Sequence, residues 1–219
     1  MPTLAQVKSG LAAETADAYR NSPYSFLSKD YFARFNRDAD ARPDDDEMAL
    51  GADWKIVVPT DAKPLTETMG KHLAEFLTQR MAVNLRVERI SPDALPQGIE
   101  RAVVLLDSGG GASAVPGSFA ISVEPLKVTI HGQDAEGLRD GVVKLVDLIG
   151  ARQAPILSRG EQVYKPRLAV RLGVVPWMGS YRDLVFMGYN AVLLNTYFEG
   201  EESLFAISRS DAIPERSSP

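Results

Sequence analysis

The sequence predicts an α/β fold of the α+β kind, in which one β-sheet carries two helices on one of its faces. The clearest indication is Gly117–Ile149, where two runs of alternating apolar and polar residues lead directly into a helical pattern. A second helical pattern, at 64–81, lies between two strand-like runs. Each helical pattern has a single apolar stripe, so both helices can cover the same face of one sheet.

The first of these segments divides into a hairpin and a helix. Apolar side chains occupy every second position of 119–123 and again of 128–130, which is the period of half-buried strands. Pro125 interrupts the pattern and predicts a turn between the two strands. From Leu138 the apolar residues recur at helical offsets, and Asp134 has the residue type and position of an N-cap.

The preceding residues supply the rest of the sheet. The runs 54–59 and 85–90 have the composition of strands, and 101–107 is apolar enough to be buried on both faces. Pro64 suits the first turn of the helix that follows the first of these strands. The predicted order of elements is therefore β-α-β-β-β-β-α.

The glycine-rich run 108–113 connects two of these strands. A phosphate-binding loop needs a helix directly after its glycines, whereas here Pro116 and a strand follow. The run is therefore predicted to be a flexible connection rather than a phosphate site.

The first 50 residues are predicted to form a helical segment followed by an acidic linker. Residues 3–20 have apolar side chains near helical spacing, and 38–47 combine several aspartates with a proline. These aspartates lack the alternating spacing and the glycine of a calcium loop, so a cation site is the weaker alternative. An aromatic cluster, predicted to be a packing or docking face, lies between the two parts: Tyr24, Phe26, Leu27, Tyr31, Phe32 and Phe35.

The C-terminal part has a different organisation. Residues 151–165 show few periodic signals and are predicted to be a crossing segment. A strand at 166–175, a short helix at 181–189 and a buried strand at 191–194 then form the repeating unit of a parallel β/α architecture. A complete barrel of this kind needs about 250 residues. We therefore expect three parts: the helical segment and linker at 1–50, an α/β accessory domain at 51–152, and the first β/α unit or units of a truncated TIM barrel at 166–219.

The block 117–149 resembles the end of the small α/β domain that precedes the catalytic barrel in β-N-acetylhexosaminidases, the family 20 glycoside hydrolases. In that family a strand pair of the form Y-x-L-x-I … V-x-I-x-A runs into G-l-x-Y-G-x-x-T-L-x-Q-L. Asp140 replaces the family's aromatic residue, and 144–147 reads Lys-Leu-Val-Asp where the family has Thr-Leu-x-Gln. Related domains precede the barrels of α-glucuronidases and of other N-acetylglucosamine-cleaving hydrolases. The matching residues are Phe119, Ile121, Val123, Val128, Ile130, Gly137, Leu138, Gly141, Leu145 and Leu148.

The residues that follow resemble the opening of that family's barrel, which reads P-x-x-x-x-R-G, then a helix, then x-x-N-x-l-x-x-H-l-x-D. Pro166, Arg171 and the run YNAVLL at 189–194 match this pattern. The chain departs from it in two ways: Leu172 separates Arg171 from Gly173, and Leu-Asn-Thr-Tyr stands where the family has its histidine and aspartate.

The resemblance implies that Arg171 binds sugar hydroxyls, a role that suits a forked donor facing vicinal oxygens. The structural alternative is an ion pair with a carboxylate at the barrel mouth. Trp177 and Tyr197 lie near predicted strand ends, where packing is the more usual role and stacking on a sugar ring the alternative. In the family, an adjacent Asp-Glu pair on the fourth barrel strand carries the chemistry, and this chain ends before that strand. Glu201 and Glu202 are adjacent glutamates in a predicted loop, where such residues are usually solvated, so the catalytic residues are not assigned.

The predicted function is that of the N-terminal, non-catalytic portion of a glycoside hydrolase acting on carbohydrate, hexosaminidase- or glucuronidase-like, with its catalytic carboxylates outside this chain. The chain alone is expected to be inactive in O-glycosyl hydrolysis and to use no cofactor. The alternative is a non-catalytic module that binds carbohydrate or a protein through its sheet or its aromatic N-terminal segment. The third hypothesis is that the chain is a purely structural spacer.

The composition of the chain also argues against several kinds of partner and bound group. The net charge of −5, with no basic stripe, argues against nucleic acid as a partner. With no cysteine and only two distant histidines, His72 and His131, neither a disulfide nor a histidine-rich metal site is expected. No run of about 18 apolar residues suits a membrane span, and the start lacks the pattern of a signal peptide. The compartment stays open, since a full-length relative could be secreted or periplasmic.

The predicted barrel segment also suggests self-association. Strands of a barrel are buried by neighbouring strands and helices, and one or two units cannot supply all of these. Val170, Val174, Val192 and Leu194 are therefore expected to be partly exposed, or to be covered by the tail or by a second copy of the chain.

Overall fold

The computed structural model describes residues 30–94, 99–108, 113–174, 181–195 and 205–206. Arg34–Ala169 form one unit, and the described residues before Arg34 form a second unit with those from Val170 onward. The predicted N-terminal helix at 3–20 lies outside the described residues, as do Tyr24, Phe26 and Leu27 of the aromatic cluster.

The larger unit contains a six-stranded sheet and two long helices, and the predicted order β-α-β-β-β-β-α is confirmed. Strands β2, β3, β4 and β6 run parallel to their partners within this group, and β5 is antiparallel to both β6 and β8. The spatial order in the sheet is β3-β2-β4-β6-β5-β8. The elements are β1 (Glu47–Ala49), β2 (Lys55–Pro59), α1 (Pro64–Met81), β3 (Arg86–Ile90), β4 (Ala102–Leu106), β5 (Phe119–Glu124), β6 (Lys127–Gly132), α2 (Ala135–Arg152), β7 (Ile156–Ser158) and β8 (Gly160–Tyr164).

Both helices lie on the same face of the sheet, as predicted, since they contact each other as well as the strands. The apolar stripe of each helix is removed from solvent, and so are the alternate strand residues that meet it. This burial is the main stabilising term of the unit, because each fully buried Leu, Ile or Phe contributes about 1.5–3 kcal/mol. The fully buried side chains of this core include Ile56, Leu73, Phe76, Leu77, Leu105, Ile130, Leu138 and Leu145.

The opposite face of the sheet has a smaller apolar core. Val57, Ala102 and Val104 are buried there, and Ile99 from the connection before β4 packs against them. Strand β4 is therefore buried on both faces, which explains why its sequence is a continuous apolar run rather than an alternating one.

Two glycines of the family-like motif allow α2 to approach the sheet closely. A Cβ at Gly141 would lie 2.5 Å from Ile130 Cγ2, and one at Gly137 would overlap the carbonyl oxygen of Ser118. The predicted N-cap is confirmed, since the Asp134 side chain accepts the Gly137 N–H at 2.7 Å. The resemblance at these positions thus has a packing cause.

The prediction for 151–165 is wrong, because this segment contains two strands instead of a plain crossing. Strand β8 forms the edge of the main sheet beside β5, and β7 pairs antiparallel with β1. Strand β8 is exposed at four of its five residues, so it lacks the alternating apolar pattern that identifies a half-buried strand.

The acidic segment 38–47 is solvated as predicted, but it is not a free linker. Its aspartates are exposed. Its backbone is nevertheless fixed to the end of α2, since the Asp38 N–H donates to the Gln153 carbonyl at 2.7 Å. Strand β1 follows directly and pairs with β7, which places these residues in the same unit as the sheet.

The smaller unit contains β9 (Leu172–Val174), α3 (Tyr181–Phe186), β10 (Ala191–Asn195) and β11 (Phe205–Ala206). Strands β9 and β10 are parallel and are joined through α3, which is the strand–helix–strand unit that the sequence predicts. Strand β11 pairs antiparallel with β10, unlike any neighbour in an all-parallel barrel. The first strand is also much shorter than the predicted 166–175. The assignment of 166–219 to a TIM barrel stays a prediction.

Candidate functional site

Arg171 is the residue to which the resemblance gives a functional role, and it directly precedes β9. Its backbone N–H donates to Asn190 Oδ1 at 2.7 Å, and its carbonyl accepts the Asn190 N–H at 3.1 Å. Its side-chain Nε donates to the Gly188 carbonyl at 2.6 Å. The half-buried arginine is thus held against the turn that leads into β10.

These contacts correct the expected position of Arg171 in its strand. A sugar-binding arginine of a β/α barrel is expected near the carboxyl end of its strand, where the active site of such a barrel lies. Because β9 begins only at Leu172 and is parallel to β10, the contacts with Gly188 and Asn190 place Arg171 at the amino end of both strands. Its predicted sugar-binding role stays a prediction, and the observed role is to fix the start of β9.

Asn190 is the partner that the sequence analysis missed. Two sequence signals pointed to it: its match to the asparagine of the barrel-opening pattern, and its position directly before the buried strand β10, where a side-chain amide can accept a hydrogen bond from a neighbouring loop. The remaining candidates Trp177, Tyr197, Glu201 and Glu202 lie outside the described residues.

The carboxyl ends of the parallel strands in the larger unit are the second place to look for a site. Ligands of open α/β sheets bind where neighbouring connections leave in opposite directions, which here is the crevice between the loops after β2 and β4. Asp107 occupies this crevice: its Oδ2 accepts the Lys63 N–H at 2.8 Å and the hydroxyl of Thr66. The carboxylate therefore caps α1, whose own N-cap residue makes no side-chain bond.

Asp107 thus occupies the N-terminus of α1, where an anion could otherwise bind, and the interpretation of the glycine-rich run as a flexible connection stays a prediction. The four residues 109–112 of that run lie outside the described residues. Nearby, His131 Nε2 lies 2.7 Å from the Ser108 carbonyl. A carbonyl oxygen only accepts, so this nitrogen carries the proton and tethers the start of the run to β6. The other histidine, His72, lies on α1, where its Nδ1 is 3.5 Å from Glu75 Oε2.

A small cavity lies between α2, β5 and the β7–β8 segment. Its volume is about 100 Å³, and its lining includes Ile121, Val123, Leu148 and the Arg152–Glu47 ion pair. Pockets for small-molecule ligands have volumes of about 300–1,000 Å³. The cavity is therefore too small for a sugar ring.

Aromatic platforms for a sugar are also scarce in the described part of the chain. The Tyr164 ring stacks on Phe119 with centroids 4.8 Å apart, and Lys144 Nζ lies 5.5 Å from the Tyr164 centroid. Burial raises the pKa of the Tyr164 phenol, in keeping with a packed ring. The Tyr189 side chain is more exposed, at 37%.

The described residues contain no group of three or more His, Asp or Glu side chains that could hold a metal ion. None of the helices that the structure describes is both long and apolar enough to cross a membrane. Two acidic side chains of the described part, Asp107 and Asp134, have structural contacts at the two helix starts.

Comparison with solved structures finds part of this fold in several glycoside hydrolases. No protein-family model and no curated protein matches the chain. The GH20 β-N-acetylhexosaminidase from Streptomyces coelicolor A3(2) is similar in structure, with 21% identity and a TM-score of 0.52 over 74% of this chain and 34% of that enzyme. The Streptomyces plicatus N-acetyl-β-hexosaminidase has 20% identity and a TM-score of 0.45 over 70% of this chain and 28% of its own. A GH138 enzyme targeting pectin rhamnogalacturonan II has 15% identity and a TM-score of 0.44, over 56% of this chain and 13% of its own.

The last two similarities support no conclusion about this chain. The first shows only that the folds are similar. The chain spans about a third of the length of the S. coelicolor enzyme that it matches. The protein therefore has an α+β fold similar to part of a GH20 β-N-acetylhexosaminidase.

Proposed function

We propose that this chain is the N-terminal, non-catalytic portion of a glycoside hydrolase acting on carbohydrate, hexosaminidase- or glucuronidase-like in type. The observation that supports this most directly is the order of its two units. A sheet with two helices on one face is followed along the chain by a parallel strand–helix–strand unit. The fold similarity to a GH20 enzyme covers most of the chain and is consistent with this order.

The arrangement of acidic residues supports a non-catalytic role. Most glycoside hydrolases use two carboxyl groups, about 5–10 Å apart, on either side of the scissile bond. Among the described residues, Asp107 and Asp134 cap helices, and Glu47 is paired with Arg152. Side chains with such structural partners are poor candidates for general acid or nucleophile, so we infer that the catalytic carboxylates lie elsewhere in the complete enzyme.

Arg171 enters this proposal only through the resemblance. A sugar-binding role requires its guanidinium to face the substrate, whereas its Nε donates to the Gly188 carbonyl. The contacts with Asn190 support a structural role in the strand pair β9–β10. If Arg171 binds sugar, Arg171→Lys should weaken binding of N-acetylglucosamine to the complete enzyme even under conditions in which the variant is fully folded, whereas a purely structural role predicts a loss of stability alone.

The proposal is tested by assaying the purified chain with aryl glycosides of N-acetylglucosamine, glucose and glucuronic acid. We expect no turnover, because the proposal places the catalytic carboxylates outside this chain. Robust hydrolysis that is abolished by Glu201→Gln or Glu202→Gln would contradict the proposal and make those residues catalytic. Saturable binding of the free sugars without hydrolysis would instead favour the alternative of a carbohydrate-binding module.

The reading frame beyond codon 219 provides an independent test. Further strand–helix units that carry an adjacent Asp-Glu pair would support the proposal directly. A stop codon at that position, with no second polypeptide that completes the enzyme, would contradict it.

A further inference from the structure

The N-terminal segment Asp30–Phe32 contacts helix α3, although about 150 residues separate them in the sequence. The Phe32 ring lies edge-on to Phe186, with centroids 4.9 Å apart and an interplanar angle of 75°. The Tyr31 ring lies 5.8 Å from the same phenylalanine. Phe32 and Phe186 are 0% and 1% exposed, so the contact belongs to a closed core and not to a loose surface association.

Polar contacts of Arg182 and Asp30 fix the position of this segment on α3. Arg182, one turn before Phe186 on α3, donates from Nη2 to Asp30 Oδ1 at 2.9 Å. The same guanidinium lies 4.9 Å from the centroid of the Phe32 ring, within the range of a cation–π interaction. Asp30 Oδ1 also accepts the Phe32 N–H at 2.9 Å, at the start of a single 3-10 helical turn, Tyr31–Arg34.

Helix α3 has a clear need for such support. It has six residues, and isolated helices of fewer than about 12 residues are barely stable in water. The β9–β10 pair that it connects is short, and apolar side chains at and just before β9 are exposed, such as Leu172 at 50% and Val170 at 56%. Most of the stability of α3 must therefore come from side chains that pack on it, and Tyr31 and Phe32 are prominent among these.

We propose that Asp30–Phe32 is an intramolecular latch that holds α3 in place, so that the strand–helix–strand unit is ordered only while the latch is engaged. Tyr31 and Phe32 provide the apolar contact with Phe186. The Asp30–Arg182 ion pair fixes the position of the segment along α3. Release of the latch would expose Phe186 and free the β9–β10 connection. The N-terminal segment thereby controls the order of the unit that contains Arg171, a conformational role that does not depend on the proposed glycoside hydrolase ancestry.

Hydrogen exchange of the whole 219-residue chain, read by mass spectrometry, tests the latch. Phe32→Ala should accelerate exchange in 181–195 by at least about tenfold, because truncation of a buried phenylalanine usually costs several times the free energy of a tenfold change. Exchange in 64–81 and 135–152 should not change. Ala33→Ser, at an exposed position of the same turn, is the matched control and should leave both regions unchanged.

Two further variants keep the test decisive should Phe32→Ala prevent folding. Arg182→Gln removes the charge and should accelerate exchange in 181–195 alone, whereas Arg182→Lys keeps the ion pair with Asp30 and should restore most of the protection. Unchanged exchange in 181–195 for Arg182→Gln, or equal acceleration throughout 34–169, would overturn the latch.

Discussion

Arg152 forms a two-point ion pair with Glu47, which lies 105 residues earlier in the chain. Its Nε and Nη2 donate to the two carboxylate oxygens at 2.9 and 3.0 Å. Glu47 begins β1 and Arg152 ends α2, so the pair joins the β1–β7 ribbon to the helix layer. The same guanidinium also donates to the Arg42 carbonyl, which extends the contact into the acidic segment.

This pair predicts a specific dependence of stability on pH. Hydrogen bonding and charge from Arg152, together with the Asp44 N–H, hold the pKa of the Glu47 carboxyl below its usual value. A lowered folded-state pKa contributes stability above the unfolded pKa, and that contribution is lost as pH falls through the folded value. We therefore expect Glu47→Gln to destabilise the chain at about pH 7 and to have a smaller effect at about pH 3. Urea unfolding of both proteins at the two pH values measures the difference, and an equal effect at both would contradict the assignment.

Gly150→Ala should destabilise the protein, although the same change stabilises most helices. Alanine is favoured over glycine by about 1 kcal/mol in a helix interior. At Gly150, however, a Cβ would overlap the ring of Phe35, which packs edge-on to Phe76 at 5.5 Å. The ring also cannot shift freely, because Arg80 Nε donates to the Phe35 carbonyl at 2.8 Å. We expect a loss of about 1–3 kcal/mol in the free energy of unfolding, as is typical of overpacking.

A second substitution identifies the cause of this loss. Phe35→Leu in the Gly150→Ala background should recover part of the stability, because the smaller side chain makes room for the new methyl group. Gly70→Ala is the matched helical control, since its Cβ would lie 3.3 Å from Val58 Cγ2, a tight contact without overlap. A stabilising effect of Gly150→Ala would show that the Phe35 ring does not lie over this helix turn.

Leu145→Ala tests the predicted core face of α2. Leu145 is fully buried, so its truncation should lower the free energy of unfolding by about 2–5 kcal/mol. Leu126→Ala is the control, because Leu126 is 40% exposed in the turn between β5 and β6 and should lose little. Chemical denaturation that shows equal effects for the two variants would contradict the assigned face.

Asp107→Ala should destabilise the start of α1. The substitution leaves the Lys63 N–H without its acceptor and removes the partner of the buried Thr66 hydroxyl. Loss of an N-terminal cap costs about 0.5–2 kcal/mol. Asp61→Ala, at an exposed aspartate in the loop that leads into α1, should have little effect when both variants are compared by thermal unfolding. A similar loss for both variants would argue for a general charge effect rather than a cap.

Self-association through the barrel-like segment remains a prediction. Val170 is 56% exposed and Val192 is partly buried, whereas the side chains of Val174 and Leu194 lie outside the described residues. We expect hydrogen exchange in 166–219 to be faster than in 53–150 and to slow as protein concentration rises. Uniform protection at every concentration would show that the segment completes a self-contained fold.

The sequence by itself determined the secondary structure wherever burial follows a local period. Helix α1 begins at Pro64 and ends at Met81, as the apolar stripe predicts, and the hairpin turn lies at Pro125. In these segments each residue's choice of face depends on its near neighbours, so the period of the helix or strand can be read directly. The fold class followed from the same patterns, and the structural similarity to a GH20 enzyme is consistent with it.

Only the tertiary structure decided which distant groups meet. Strand β8 is an edge strand whose exposed residues carry no burial pattern, and its place in the sheet depends on backbone pairing with β5. Other contacts likewise join residues far apart in sequence. Asp107 caps α1, the Phe35 ring packs over Gly150, and Arg171 lies beside Asn190. Such contacts depend on how whole elements pack against each other. A local pattern of polar and apolar residues does not specify which distant elements will meet.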